Sequence, residues 1–233
     1  MSDKKIKLKY KERGAFIYLL LGGIFIALLV TCNLIFQKFV KINLFDWYTF
    51  EVSAGLLPYP ITFLVTDLIS ELFGKKKANR VVTVGLIVSI IVMLVTIITD
   101  FTPATSWSPV SDAEYGKVFG LTAAAVTASM IAYLLAQYID IRIFHFWKKV
   151  TKGKMLWVRN NFSTMSSQFV DTGMVLLLLC SLGSIKWELF LPLFWSGFLF
   201  KLIIAALDTP FFYLFTFGLR RYLGLSINEE MVD

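Results

Sequence analysis

Six apolar runs, at residues 15–36, 48–70, 81–99, 118–139, 162–182 and 189–217, leave this chain few ways to fold. Each meets or approaches the ~20 residues a helix needs to cross the hydrocarbon core of a bilayer. Charge is gathered into short clusters between them. With 57% hydrophobic and 17% charged residues, the chain is too apolar for a soluble domain, where about 25% of residues are charged. The expectation is an all-α polytopic membrane protein with six transmembrane helices, one integral membrane domain over residues 1–233 with a basic tail at 1–13.

Lysines and arginines set the expected orientation. Of the 23 basic residues, those in the N-terminal tail, at 75–80, at 142–159 and at Arg220 and Arg221 fall on one side. Only Lys38, Lys41, Lys117 and Lys186 fall on the other, and Lys201 lies inside a span. This bias predicts a multi-pass protein of the cell (inner) membrane with both termini cytoplasmic. The net charge of +7 therefore speaks of a lipid bilayer as partner, not of nucleic acid. The first apolar run is longer than the 7–15 residues of a signal-peptide core. Cys32 and Cys180 both fall within spans and read as small apolar residues, with no disulfide, metal or cofactor expected of them.

The stretch 57–77 is the most unusual. Pro58 and Pro60 interrupt its apolar start, which predicts a broken or kinked span, and Gly74 and three lysines close it. Between them Asp67 and Glu71 stand four residues apart, on one helical face. A carboxylate at the middle of a membrane costs roughly 2.5–3.5 kcal/mol on insertion scales, so such groups face a polar interior and mark a site. Glu71 has a plainer reading as a partner of Lys75 one turn on. In the first span Gly22-Gly23 would let a neighbouring helix approach closely, and Asn33 lies inside the run with Gln37 one turn beyond.

The fifth run carries Asn160, Ser163, Thr164, Ser167, Gln168 and Asp171, a polar stripe at helical spacing. Serines and threonines alone would be packing glue; Gln168 and Asp171 go beyond that. Asp171 lies ten residues inward from Asn161, ~15 Å, or half of a ~30 Å core. Lys201, counted inward from Phe190 on the other side, reaches a similar depth, so the two are expected to pair. Asp67 and Asp171 would each sit on the middle span of a half of three, a pattern compatible with an inverted 3+3 repeat.

These residues resemble a known family. The run Pro58-Tyr-Pro-Ile-Thr-Phe-Leu, then Thr66-Asp67-Leu-Ile-Ser-Glu71 and Phe73-Gly74-Lys75, is similar to the signature of bacterial queuosine precursor transporters, also described as vitamin uptake transporters. The likeness extends through Asn33-Leu-Ile, Gln137 and Asp140, Arg159-Asn160, Ser163, Ser167-Gln168 and Asp171-Thr172, to Lys201 and Thr209-Pro210. Asp208 stands where the resemblance leads one to expect an apolar residue. The resemblance implies import of a small-molecule 7-deazapurine: 7-cyano-7-deazaguanine, 7-aminomethyl-7-deazaguanine or queuine. A guanine-like edge offers N–H donors to a carboxylate and a carbonyl to a lysine, arginine or amide. The substrate-binding candidates are Asn33, Asp67, Glu71, Gln137, Arg159, Asn160, Ser167, Gln168, Asp171 and Lys201. Phe63, Tyr133 and Trp195 are candidates to stack on the base.

Other classes fit less well. An intramembrane enzyme needs a nucleophile with its base, or a metal site; the only histidine is His145, in a basic loop, and no HExxH is present. The alternative within transport is a substrate-binding subunit of an ATP-driven vitamin uptake system, energised by a separate module. A scaffold would have no use for so many intramembrane polar groups. A homo-oligomer is compatible with everything above.

Overall fold

The computed structural model describes residues 3–231 except 37, 45–47, 120–122, 153, 182–185 and 228. Helices follow the apolar runs: α1 (Asp3–Ile35), α2 (Tyr59–Phe73), α3 (Lys75–Asp100), a short α4 (Asp112–Phe119), α5 (Ala123–Val150), α6 (Leu156–Ser181) and α7 (Phe190–Leu223). Two strands, β1 (Phe39–Leu44) and β2 (Tyr48–Ser53), form an antiparallel hairpin between α1 and α2. Among the described residues, four segments are long and apolar enough to cross a membrane by length and composition: 10–35, 54–73, Lys75–Asp100 and 187–223. The more polar α5 and α6 fall short of that measure, for the reason that makes them interesting.

Burial runs opposite to that of a soluble protein. α3 turns Ile87, Ile91, Leu94 and Ile98 outward, as an aliphatic helix facing lipid should. Asp67, Gln137, Asp140, Ser163 and Ser167 are each completely buried. Every residue of the α6 stripe is buried, while Phe162, Met165 and Phe169 between them face out. The periodicity read from the sequence is therefore the inward face of the helix. The family of elements is an integral membrane bundle.

α2 sits at the centre and touches α1, α3, α5 and α7. The run 48–70 expected as one span is in fact a strand, a turn and a 15-residue helix. The prolines do not kink α2 but start it: Pro58 is its N-cap and Pro60 lies in the first turn. The first-turn N–H groups lack intrahelical partners in any helix, so proline loses nothing there. α7, in contrast, runs straight through Pro210. Nearby, Asn161 of α6 and Thr209 exchange hydrogen bonds at 2.9 and 3.2 Å, tying the two helices at that level.

Geometry calls for glycine at the entry to α3 and again along it. Gly74 alone joins α2 to α3, with φ of 82°, a region that L side chains rarely adopt. Gly85 of α3 lets α1 close in, since a Cβ there would meet the Phe25 ring at 2.8 Å. Of the expected close-contact pair, Gly22 faces Val81 of α3, whereas Gly23 has no such neighbour.

Other expectations shift by a turn or more. The basic tail is the start of α1, and His145 lies on α5 instead of in a loop. The loop 100–117 holds the start of α4, capped by Ser111 and Glu114 in reciprocal hydrogen bonds. The Ser111 backbone N–H and hydroxyl hold the Glu114 carboxyl below its usual range. Gln37 lies outside the described residues.

Candidate functional site

A small cavity opens between α2, α6 and α7. Leu56, Tyr59, Pro60 and Phe63 line it from the α2 side, Thr164 and Gln168 from α6, and Phe200, Lys201, Ile204, Ala205 and Asp208 from α7. On α7, residues 201, 204, 205 and 208 recur at i, i+3, i+4 and i+7, one helical face. The short start of α2 matters here: because helix begins only at Tyr59, its first two turns bring Tyr59 and Phe63 to the cavity wall.

Lys201 is the cation of this site. Its Nζ donates to Asp171 Oδ2 at 2.6 Å and to Thr172 Oγ1 at 3.1 Å, and it lies 4.9 Å from the Tyr59 ring centroid. The pair expected from depth is thus formed. Two contacts use two of the three ammonium donors and leave one for the cavity. Gln168 is buried, and its Oε1 accepts no hydrogen bond. Behind the wall, Tyr59, Phe63 and Tyr133 pack as a cluster with centroids 5.0 to 5.9 Å apart. Trp195 is 52% exposed and packs on Phe194 and Phe198 of its own helix, away from the cavity.

Below Phe63 the face of α2 continues through Asp67 and Glu71, about 6 Å per step. Asp67 is fully buried and faces the Asp140 carboxyl of α5, close enough for the two to share a hydrogen bond. Asp140 accepts from Ser167 Oγ at 3.0 Å. One turn on, Glu71 gathers three cations. Its Oε1 accepts from Arg220 Nη2 at 2.7 Å and from Arg159 Nη2 at 3.2 Å, while Lys148 Nζ lies 3.5 Å from Oε2. Lys148 also bonds Glu230 at 2.8 Å, and Met231 N donates to Leu72 O at 2.8 Å. The C-terminal segment thereby folds over the cluster. Glu71 does not take Lys75 as its partner; Lys75 is exposed and the stronger field lies inward.

The ten candidates therefore separate. Gln168 and Lys201 line the cavity, and Asp171 holds Lys201. Asp67 and Ser167 lie below it around Asp140, and Glu71 and Arg159 belong to the ion cluster. Gln137 is satisfied within a α2–α5 network: its Nε2 donates to the Tyr133 hydroxyl at 2.7 Å, that hydroxyl donates to Thr62 at 2.7 Å, and Thr66 donates to Gln137 Oε1 at 3.2 Å. Asn160 is buried on the stripe, its carbonyl accepting from Ser163 Oγ at 3.1 Å. Asn33, half-buried on α1, keeps an unpartnered Nδ2. Tyr59, Thr172, Lys148 and Arg220 were not among the candidates. Tyr59 was hidden between two prolines, and Lys148 and Arg220 read as loop charges that merely report topology.

No metal-binding group of three His, Cys, Asp or Glu occurs among the described residues. Comparison with known proteins gives a consistent answer. A protein from Bacillus subtilis named "Probable queuosine precursor transporter" is 25% identical over 202 residues, covering 77% of this chain and 86% of that one. The "Queuosine precursor transporter" of Escherichia coli is 27% identical over 123 residues, 53% of this chain and 52% of its own. A "Probable queuosine precursor transporter" of Haemophilus influenzae is 26% identical over 125 residues, 54% and 50%. The chain thus matches about half the length of the last two. No solved structure matches it. The family model described as "Putative vitamin uptake transporter" matches residues 53–215, from the end of the hairpin to within two turns of the end of α7, and the chain belongs to that transporter family.

Proposed function

We propose that this protein imports 7-deazaguanine precursors of queuosine, 7-cyano-7-deazaguanine, 7-aminomethyl-7-deazaguanine or queuine, into the bacterial cytoplasm for tRNA modification. The observation that carries the reading is the cavity beside the Asp171–Lys201 pair, flanked by the rings of Tyr59 and Phe63. Its lining, two aromatic rings beside an amide and an ammonium, suits a flat polar base. Lys201 has a donor left for a guanine-type carbonyl, and Gln168 Oε1 is a buried acceptor awaiting an N–H. Asp67, one turn below Phe63 and set against the Asp140 carboxyl, is the next polar group on the way inward.

The reading includes six spans with both termini in the cytoplasm. The basic bias supports it, as does the clustering of Glu71, Lys148, Arg159 and Arg220 at one end. On this reading the base leaves toward that cluster, which has to part for release. The inverted repeat is supported by α2 and α6, which each place one buried aspartate on the middle helix of a half.

The test is uptake in a bacterial strain unable to make queuosine, scored as queuosine in its tRNA. Wild-type protein should restore the modification when a precursor is supplied. Asp67→Asn and Gln168→Ala should abolish uptake while remaining inserted in the membrane. Normal uptake by both variants would place the site elsewhere. Reporter fusions that put Asp112 in the cytoplasm, or Lys152 outside, would overturn the orientation.

A further inference from the structure

Asp208 is the charge in the cavity that the reading above does not use. It lies on the same face of α7 as Lys201, seven residues and about 10 Å farther along the axis. Lys201 is already matched by Asp171 at 2.6 Å. No lysine or arginine among the described residues lies within ion-pair distance of Asp208. Its chain neighbour Thr209 does not serve it either, since that hydroxyl is engaged with Asn161. The cavity thus carries one matched pair and one unmatched carboxylate, half-buried between apolar walls of Leu56, Ile204 and Ala205.

A carboxylate in such a place is costly unless a cation meets it. We propose that Asp208 selects a substrate bearing a protonated amine, so that the cavity takes the aminomethyl form of the deazaguanine in preference to the neutral cyano form. This rests on the deazapurine reading of the same cavity. The placement of the lining suits it: a base whose guanine edge met Gln168 and Lys201 would have Asp208 about 10 Å farther along α7, within reach of the arm on its five-membered ring. An ammonium there makes a charge-assisted hydrogen bond to the carboxylate, with the rings of Tyr59 and Phe63 facing the base. A nitrile offers no donor and leaves Asp208 stranded. The same amine is present in queuine, whose added ring demands more room.

The experiment is calorimetric titration of the purified full-length protein in detergent with three probes: 7-aminomethyl-7-deazaguanine, 7-cyano-7-deazaguanine and queuine. Wild type should bind the aminomethyl base at least about tenfold more tightly than the cyano base, the scale of one hydrogen bond to a charged group. Asp208→Asn should bring that ratio close to one, and Asp208→Glu should keep most of it. Tight binding of queuine that also depends on Asp208 would support the amine and name the larger base as its source. Equal affinities in the wild type, a preference for the cyano base, or a ratio untouched in a folded Asp208→Asn protein would each overturn the proposal. Binding of the cyano base alone would overturn this inference and leave the transport reading standing. Binding of none of the three by folded protein would sink both.

Discussion

Two charged regions lie on the same buried surface and behave differently. In the cavity, one carboxylate meets one ammonium, and the lysine keeps a donor free beside open space. At the basic end, Glu71 meets three cations from three helices, Lys148 of α5, Arg159 of α6 and Arg220 of α7, and the C-terminal segment covers it. A pair with spare valence beside a void is arranged to receive a ligand. A carboxylate held by cations from three helices is arranged to hold those helices together, and to let go of them together. From the sequence Asp171 and Glu71 are the same kind of residue; in the fold one meets a single lysine beside a cavity and the other is enclosed by three cations.

The largest expected effect tests the clamp. Glu71→Gln leaves three cations facing a neutral amide in a site with almost no water. Breaking a buried charge network from one side costs on the order of 3–5 kcal/mol, so folded yield and melting temperature in detergent should fall sharply. A loss within about 1 kcal/mol would mean that Asp67 and Asp140 take up the cations and that the clamp is shared.

An intermediate effect is expected at the pair. Asp171→Asn and Lys201→Met should each lower stability or yield, but less than the loss of Glu71, because Lys201 keeps Thr172 and borders a cavity that water can enter. The double variant should recover stability even where transport stays dead, since no charge is then stranded. A thermal double-mutant cycle with coupling below about 0.5 kcal/mol would sink the pairing.

The smallest effect sharpens the boundary between the regions. Tyr133→Phe removes the hydroxyl that joins Thr62 to Gln137 and so loosens α5 from α2. The cost should be about 1 kcal/mol, read as a modest drop in melting temperature. An unchanged melting temperature would show that Gln137 finds other partners and is free to serve the substrate.

Much of this was legible beforehand, and particular residues show why. The stripe from Asn160 to Asp171 repeats at helical spacing, so its inward face could be read off without coordinates. The depth of Asp171 and Lys201 follows from a rise of 1.5 Å per residue, which is why their pairing could be expected. Asp67 announced itself because an unmatched acid in an apolar run has no solvent to justify it. The hairpin at 39–53 could not be seen in the same way. Tyr48–Ser53 opens an apolar run, and only its pairing with Phe39–Leu44 distinguishes a strand there from the start of a helix. The two prolines also misled, because proline at the first turn begins a helix while proline in the middle disturbs one.

The sequence by itself determined membrane class, the number and polarity of the apolar runs, and which helix faces are wet or charged, because each depends on local composition and period. Only the tertiary structure decided the roles of the charges. It brought Arg220 across 149 positions to Glu71, turned Lys148 from a topology marker into part of a clamp, and set Asp208 unmatched on a cavity wall. Electrostatic energy depends on distance and local dielectric, and neither is a property of one residue or its near neighbours in the chain.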